Sequence, residues 1–345
     1  MCYNHIGFLR FWSDRMQKEY TESCSVFESD GMVRNAGWAK KQVFRYDPSS
    51  RHSQRDTYYV SSSECAMYLS IENLGAAFGV KIALADLKRG GVVCDSIIKK
   101  HKIIKKPLPD SADGGEFEYE DKWLKLKISD EAEGKNLKCV FYQFGSLDML
   151  SFDIFLLKNN SDVLDQLAPF ERNRKYYYLK RFMPCYQAQG FIKAGSMVYK
   201  LGADSARAYF DRTRFRKPRL HNYQRLSSDC VIGGKRFTIC LASRVGDNRY
   251  GNENCYFVDG NLHKLSQIAV KGTPKRIDRP VFFHDKERNV DISFKPFTVS
   301  GKAMVADMGK TAVVFGRLYG TIKQDEQDKP LVLDNAVAHL IFTEF

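Results

Sequence analysis

No uninterrupted apolar run in the sequence approaches the ~20 residues that a membrane-spanning helix needs. The first twenty residues, MCYNHIGFLRFWSDRMQKEY, lack a basic start leading into an apolar stretch and a small-residue cleavage site; the apolar cluster from Ile6 to Trp12 is short and broken by Arg10. An intracellular, cytoplasmic protein is the expectation. The nine cysteines are far apart and odd in number, and no two stand in C-x-x-C spacing, which excludes a zinc knuckle and a dithiol redox motif. They read as inert buried thiols. Phosphate-cradling loops, nucleotide fingerprints and metal-ligand spacings are missing as well, so no cofactor and no metal are expected.

What is present is a soluble-protein composition: 345 residues, 43% apolar and 28% charged, enough for two ordinary units with filled cores. The 24 Phe and 18 Tyr favour strands. The formal net charge of +13 would suit nucleic acid, an anionic membrane surface or an acidic ligand; a solvated basic surface is the plainer account.

Strand signals outnumber helix signals. TYYVSSSECAMYLSIEN, GVKIALADL, LKCVFYQF, LSFDIFLL, KYYYLKRF, QGFIKAGSMVYKL and ARAYFD are followed by GKRFTICLAS, NCYFV, LHKLSQIAV, NVDISFKPF, TAVVFGRLYGTI and PLVLDNAVAHLIF, with turn signals every ten or so residues. Helices are expected only over SDVLDQLAPFERN (161–173), with a Ser cap and a break at Pro169, and in the N-terminal FWSDRMQKEY. The fold class is all-β, with few short helices. GFIKAGSMVYKLGADSARAYFD (190–211) echoes GTIKQDEQDKPLVLDNAVAHLIF (320–342), and KIALADLKRGG more weakly echoes CYFVDGNLHK. Duplicated β units would produce this. The expected division is an N-terminal arm over 1–50, a first barrel-like unit over 51–215 and a second over 216–345.

Their junction, FDRTRFRKPRLHNYQRL, is rich in Arg. Arginines among aromatics can hold phosphates and stack bases, but an inter-unit connection with guanidinium–carboxylate pairs is preferred. The run IIKKHKIIKKPLP reads as an edge strand protected by lysines.

The stretch NCYFVDGNLHKL carries the candidate site. A two-residue Asp259-Gly260 turn pairs Tyr256 with His263 and Asn254 with Leu265, placing Asn254, Tyr256 and His263 on one face and Glu253, Cys255 and Phe257 on the other. A three-residue loop would move His263 to the second face. Facing a barrel cavity, His263 and Tyr256 would be catalytic candidates, with His263 a base near neutral pH and Asn254 and Glu253 contacting the ligand. A solvated hairpin face is the plainer alternative. His221, Tyr223 and Arg225 near the junction form a second candidate group.

VFESDGMVRNAGWAKKQVFRYD (26–47), YYYLKRFMPCYQAQGFIKAG (176–195), NENCYFVDGNLHKL (252–265), NVDISFKPF (289–297) and VVFGRLYGTI (313–322), in this order, resemble the family called domain of unknown function 2804, from about Phe27 to the end. The resemblance implies two consecutive antiparallel lipocalin-like (calycin-like) β-barrel units, as in carotenoid hydratases, tocopherol cyclases and some fungal cyclases. The family itself has no established activity. The expected partner is a lipophilic small molecule held in a barrel cavity, the alternative a hydratase, isomerase or cyclase acting on an apolar substrate. The chain departs from the family's pattern at RLHNYQRL, where tryptophans are usual.

Overall fold

The computed structural model describes residues 17–46, 52–100, 108–109, 114–170, 173–216, 223–243, 245–246, 250–272, 278–307, 311–323 and 329–343. Among them every regular element is a strand. Two large antiparallel sheets account for most of the chain. The first runs from the strand Ser53–Ser61 to Arg207–Arg216, the second from Tyr223–Ile232 to Leu331–Thr343.

Both sheets have the same strand order. In each, the last strand returns to pair with the first: Arg207 lies opposite Ser61, and Tyr223 opposite Thr343. From that closing pair, strands two to four run outward to one edge, Val92–Lys100 in the first sheet and Asn261–Lys264 in the second. The remaining strands run to the other edge, Glu116–Glu120 and Ala269–Lys271. The first sheet curls until its edges communicate, with Lys100 Nζ 2.8 Å from Asp121 Oδ2 and the Gly145 amide donating to Ser96 Oγ at 2.7 Å.

The echoes in the sequence fall on equivalent strands. Gly190 and Gly320 both have φ near +130°, and each stands opposite a leucine, Leu201 and Leu333. A Cβ at either would lie 2.0–2.1 Å from the carbonyl oxygen of an aspartate on the neighbouring strand, Asp153 or Asp291. Only glycine fits so close an approach. The weaker echo falls on strands three and four of each sheet.

Inward-facing side chains give each curled sheet a core. Alternate residues such as Met67, Ile82, Phe141, Phe152 and Phe210 form one, and Phe237, Tyr256, Phe283, Ile292 and Leu318 form the other. A small cavity lies in the first core, lined by Tyr58, Ile71, Phe117 and Ile128 together with Asp56 and Arg212. The outer faces pack on each other through a third cluster that joins Tyr59, Tyr68, Phe182 and Tyr209 of the first sheet to Cys240, Phe257, Phe315 and Ile341 of the second. Strands beside this seam, Ser53–Ser61, Cys65–Asn73 and Phe78–Asp86, are thus covered on both faces. Cys65–Asn73 and Phe78–Asp86 are accordingly largely apolar, whereas Ser53–Ser61 buries the polar residues Gln54, Arg55, Asp56 and Thr57.

Two further expectations change. The helix expected over 161–173 is the strand Leu164–Phe170, buried throughout, which pairs with Asn173–Ala194 on one side and Gly37–Ala39 on the other. A short strand buried on both faces has the same continuous apolarity as a helix segment. Asp165 fixes it by accepting the amides of Val43 (2.8 Å) and Phe44 (2.9 Å) and pairing with Arg181 at 3.1 Å. KYYYLKRF and QGFIKAG form one strand of 22 residues, Asn173–Ala194, bent by a bulge between Met183 and Tyr186 where Cys185 takes φ +69°. Most of FWSDRMQKEY lies outside the described residues.

Arg212 and Arg214 of the basic junction are buried, 2.9 and 2.8 Å from the Asp56 carboxylate, and Arg216 is exposed. The rest of the junction, 217–222, lies outside the described residues. Val92–Lys100 is an edge strand. No helix among the described residues is long and apolar enough to cross a membrane, and the eight described cysteines are free thiols.

Candidate functional site

One group of buried charged side chains lies between the two sheets. Lys180, wholly buried, places Nζ 3.0 Å from Asp211 Oδ2 and 2.5 Å from Glu253 Oε2, and donates to Cys240 Sγ at 3.3 Å. Arg225 donates through Nε to Glu253 Oε1 at 2.9 Å and through Nη2 to the Tyr178 hydroxyl at 3.0 Å, with Nη1 3.4 Å from Asp211 Oδ2. Tyr178 donates its own proton to Glu253 Oε2 at 2.5 Å. Glu253 and Arg225 come from the second sheet and the segment leading into its third strand; Tyr178, Lys180 and Asp211 come from the first.

Two satellites adjoin this cluster. Arg55 Nη1 donates to the Tyr223 hydroxyl at 2.5 Å; its Nε is 2.8 Å from Glu72, whose other oxygen is 3.0 Å from Lys81 Nζ. His339 shares a proton with Tyr209 at 2.8 Å through Nε2 and stacks on Tyr59 at 4.5 Å, while its buried Nδ1 has no partner. Among the described residues, Arg55, Lys81, Lys180 and Arg225 face the carboxylates of Glu72, Asp211 and Glu253.

The protonation states follow from the geometry. Burial alone would raise the Glu253 carboxyl, but Arg225 and Lys180 outweigh it and hold it at about 2. Burial, then the neighbouring Glu253 charge, pushes the Tyr178 phenol well above its ordinary value. Burial and the nearby Arg225 and Lys180 cations hold the His339 imidazole down at about 3. The Arg225 guanidinium stays charged because Glu253 and its other acidic neighbours overcome the burial penalty.

The tripeptide Asn252-Glu253-Asn254 aims the carboxylate. Asn252 Oδ1 accepts the Asn254 amide at 2.9 Å, and Asn254 bridges the chain, accepting from Ala242 N at 2.7 Å and donating to Ser266 O at 3.2 Å. Lys264 Nζ ties the bend, donating to Asn252 Oδ1 and the carbonyls of Asn254 and Leu265 at 2.7–3.3 Å. Gly251 sits where a Cβ would lie 2.1 Å from Gln166 Nε2, so a glycine there lets the segment seat on the first sheet.

The hairpin has the two-residue turn: Tyr256 pairs with His263 and Val258 with Asn261, and Asp259 and Gly260 take φ +48° and +84°. Tyr256 and His263 stack ring on ring, parallel and 4.7 Å apart, with Tyr256 in the packed interior of the second sheet. They stand on the opposite face from Glu253 and are separate from the charged cluster. Asn254 serves as a backbone brace. Of the seven expected site residues, Tyr223, Arg225 and Glu253 meet at the seam, and His221 lies outside the described residues. Sequence reading missed Tyr178, Lys180, Asp211, Arg55, Glu72, Lys81 and His339. A signal was there: Lys180 stands between Tyr178 and Phe182, and His339 between Val337 and Ile341 at i±2, so each is a polar group on an apolar face and needs a partner.

A cavity of about 20 Å³ opens beside the cluster, lined by Arg55, Tyr178, Thr213, Tyr223 and Arg225 together with Phe170, Phe215 and Val245. It has room for one water. Among the described residues, no group of three or more His, Cys, Asp or Glu side chains converges to hold a metal ion.

No curated protein sequence matches the chain. Among solved structures, kievitone hydratase from Nectria haematococca superposes with a TM-score of 0.52 at 10% identity, over 85% of this chain and 88% of that one. CghA gives a TM-score of 0.47 at 10% identity, over 94% and 97%. The first likeness shows a shared fold of two curled β sheets. The family model described as domain of unknown function (DUF2804) matches residues 17–339, and this chain belongs to that family.

Proposed function

We propose that the chain binds a lipophilic small molecule in the seam between its two barrel-like units, taken as 51–215 and 216–345. The ligand's oxygen, a carbonyl or an acidic hydroxyl, meets Arg55, Tyr223 and Arg225; its apolar body lies along Phe170, Phe215 and Val245. One observation supports this reading: the seam cavity brings the donors Arg55, Arg225, Tyr178 and Tyr223 together with the apolar side chains Phe170, Phe215 and Val245. A ligand oxygen accepting from those donors would lie where hydrogen bonds to charged groups are least screened. At 20 Å³ the cavity is a starting point, and entry requires Phe215 and Val245 to move aside.

Glu253 at about 2, His339 at about 3 and the raised Tyr178 phenol lie away from neutral pH, whereas burial brings the ammonium of Lys264, which ties the bend around Glu253, down to about 7. Mass spectrometry of protein purified under mild conditions tests the reading. A co-purified apolar acid or phenol, lost in Tyr223→Phe with the circular dichroism unchanged, is the expected result. Ligand-free protein that takes up no hydrophobic probe, or uptake indifferent to Tyr223→Phe and Val245→Trp, refutes it.

A further inference from the structure

A second cavity, of about 440 Å³, is open to solvent and lies at the bulge in the strand Asn173–Ala194. Along one side this strand pairs with Leu164–Phe170 as far as Phe182, and with Leu147–Leu157 only from Gln187 onward. Residues 183–186 therefore face a gap in the sheet. Pro184 has no amide to offer a neighbour there. Cys185 O accepts from Asn159 Nδ2 and from Arg236 Nη1, and Tyr186 O accepts from Arg236 Nη2 at 2.6 Å, so side chains satisfy the backbone that a missing strand would have covered. The gap is a built feature of the fold, braced from behind by the Arg236–Asp229 pair at 3.0 Å.

The chemistry of its walls is two-sided. Val163, Met183, Pro184 and Tyr186 form an apolar floor that continues the first sheet's core. Lys40, Lys41 and Lys158 form the rim. Lys40 and Lys41 are exposed, and neither meets a carboxylate among the described residues. Among the described lining residues the acid is Asp162, engaged with the Leu262 amide at 2.9 Å. Lys40 and Lys41 thus set two exposed ammonium groups over an apolar floor. The volume falls in the range of small-molecule sites, roughly 300–1,000 Å³.

We infer that this cleft is a second binding site, for a straight-chain amphiphile with an anionic head: the head pairs with Lys40 and Lys41, and the tail covers Val163, Met183 and Pro184. Its occupancy is independent of the seam. A carboxylate or a phosphate monoester satisfies the same rim, so the probes are sodium decanoate, decyl phosphate and decanol, titrated calorimetrically into the full chain. Saturable binding of decanoate or decyl phosphate is expected, with the tighter of the two identifying the head and decanol weaker by roughly tenfold. The double variant Lys40→Gln/Lys41→Gln, both at exposed positions, is expected to weaken the anion by a similar factor, Val163→Trp to abolish binding by filling the floor, and Tyr223→Phe to change nothing. Decanol binding as tightly as decanoate, binding unchanged in the lysine and Val163 variants, or no saturation by either anion at millimolar concentration overturns the inference.

Discussion

Glu253→Gln keeps the shape of the side chain at the centre of the seam and removes its charge. In the native protein Lys180 and Arg225 are balanced by Asp211 and Glu253; in the variant two buried cations share one anion. The carboxyl at about 2, against an ordinary 4.5, corresponds to about 3 kcal/mol of differential interaction. Breaking a buried ion pair from one side typically costs ~3–5 kcal/mol, in agreement. Against a domain stability of ~5–15 kcal/mol this is a large fraction. Urea unfolding followed by tryptophan fluorescence reads it as a lower midpoint at unchanged slope. The sign with pH is fixed: the folded value is depressed, so the stabilisation is complete above pH 4.5 and lost as pH falls through 4.5 toward 2. Wild type and variant therefore converge over that window and differ by about 3 kcal/mol at pH 7. A difference below about 0.5 kcal/mol at pH 7, or one that stays constant down to pH 2.5, refutes the assignment of Glu253 as the cluster's anchoring anion.

His339, held at about 3 against 6.5, contributes stability that is full above pH 6.5 and declines as pH falls toward 3; His339→Phe is expected to flatten the stability profile between pH 6.5 and 4.5, and an unchanged slope there counts against its burial as a neutral imidazole. Gly190→Ala and Gly320→Ala should each destabilise by more than ~2 kcal/mol, since the new methyl meets a backbone carbonyl at a left-handed φ; a thermal melt showing either to be neutral would break the equivalence of the two positions. In thiol titration of the native protein, Cys139, Cys240 and Cys255 are expected to stay unlabelled until denaturant is added, because burial raises their thiols; rapid labelling of any of them would contradict the packing.

The hairpin was legible down to two registers, because an Asp-Gly pair marks the turn but its length decides the face; the structure takes the two-residue form. The repeated architecture was legible in Gly190-Phe191-Ile192-Lys193 and Gly320-Thr321-Ile322-Lys323, because glycine at a close strand approach is a local necessity that both sheets meet. Leu164–Phe170 was not, since a strand covered on both faces loses the alternation that marks a strand. The partners of the candidate residues were hidden more deeply. Glu253 and Arg225 stand out as charged groups, but Tyr178 and Glu253 are 75 residues apart and on different sheets. The sequence by itself determined the all-β class, since alternation of apolar and polar residues along a strand depends only on neighbours two residues away. Only the tertiary structure decided which outer faces meet, because the packing of one sheet on another depends on curvature and twist summed over whole strands. The charged seam, and the cleft beside the bulge, follow from that docking.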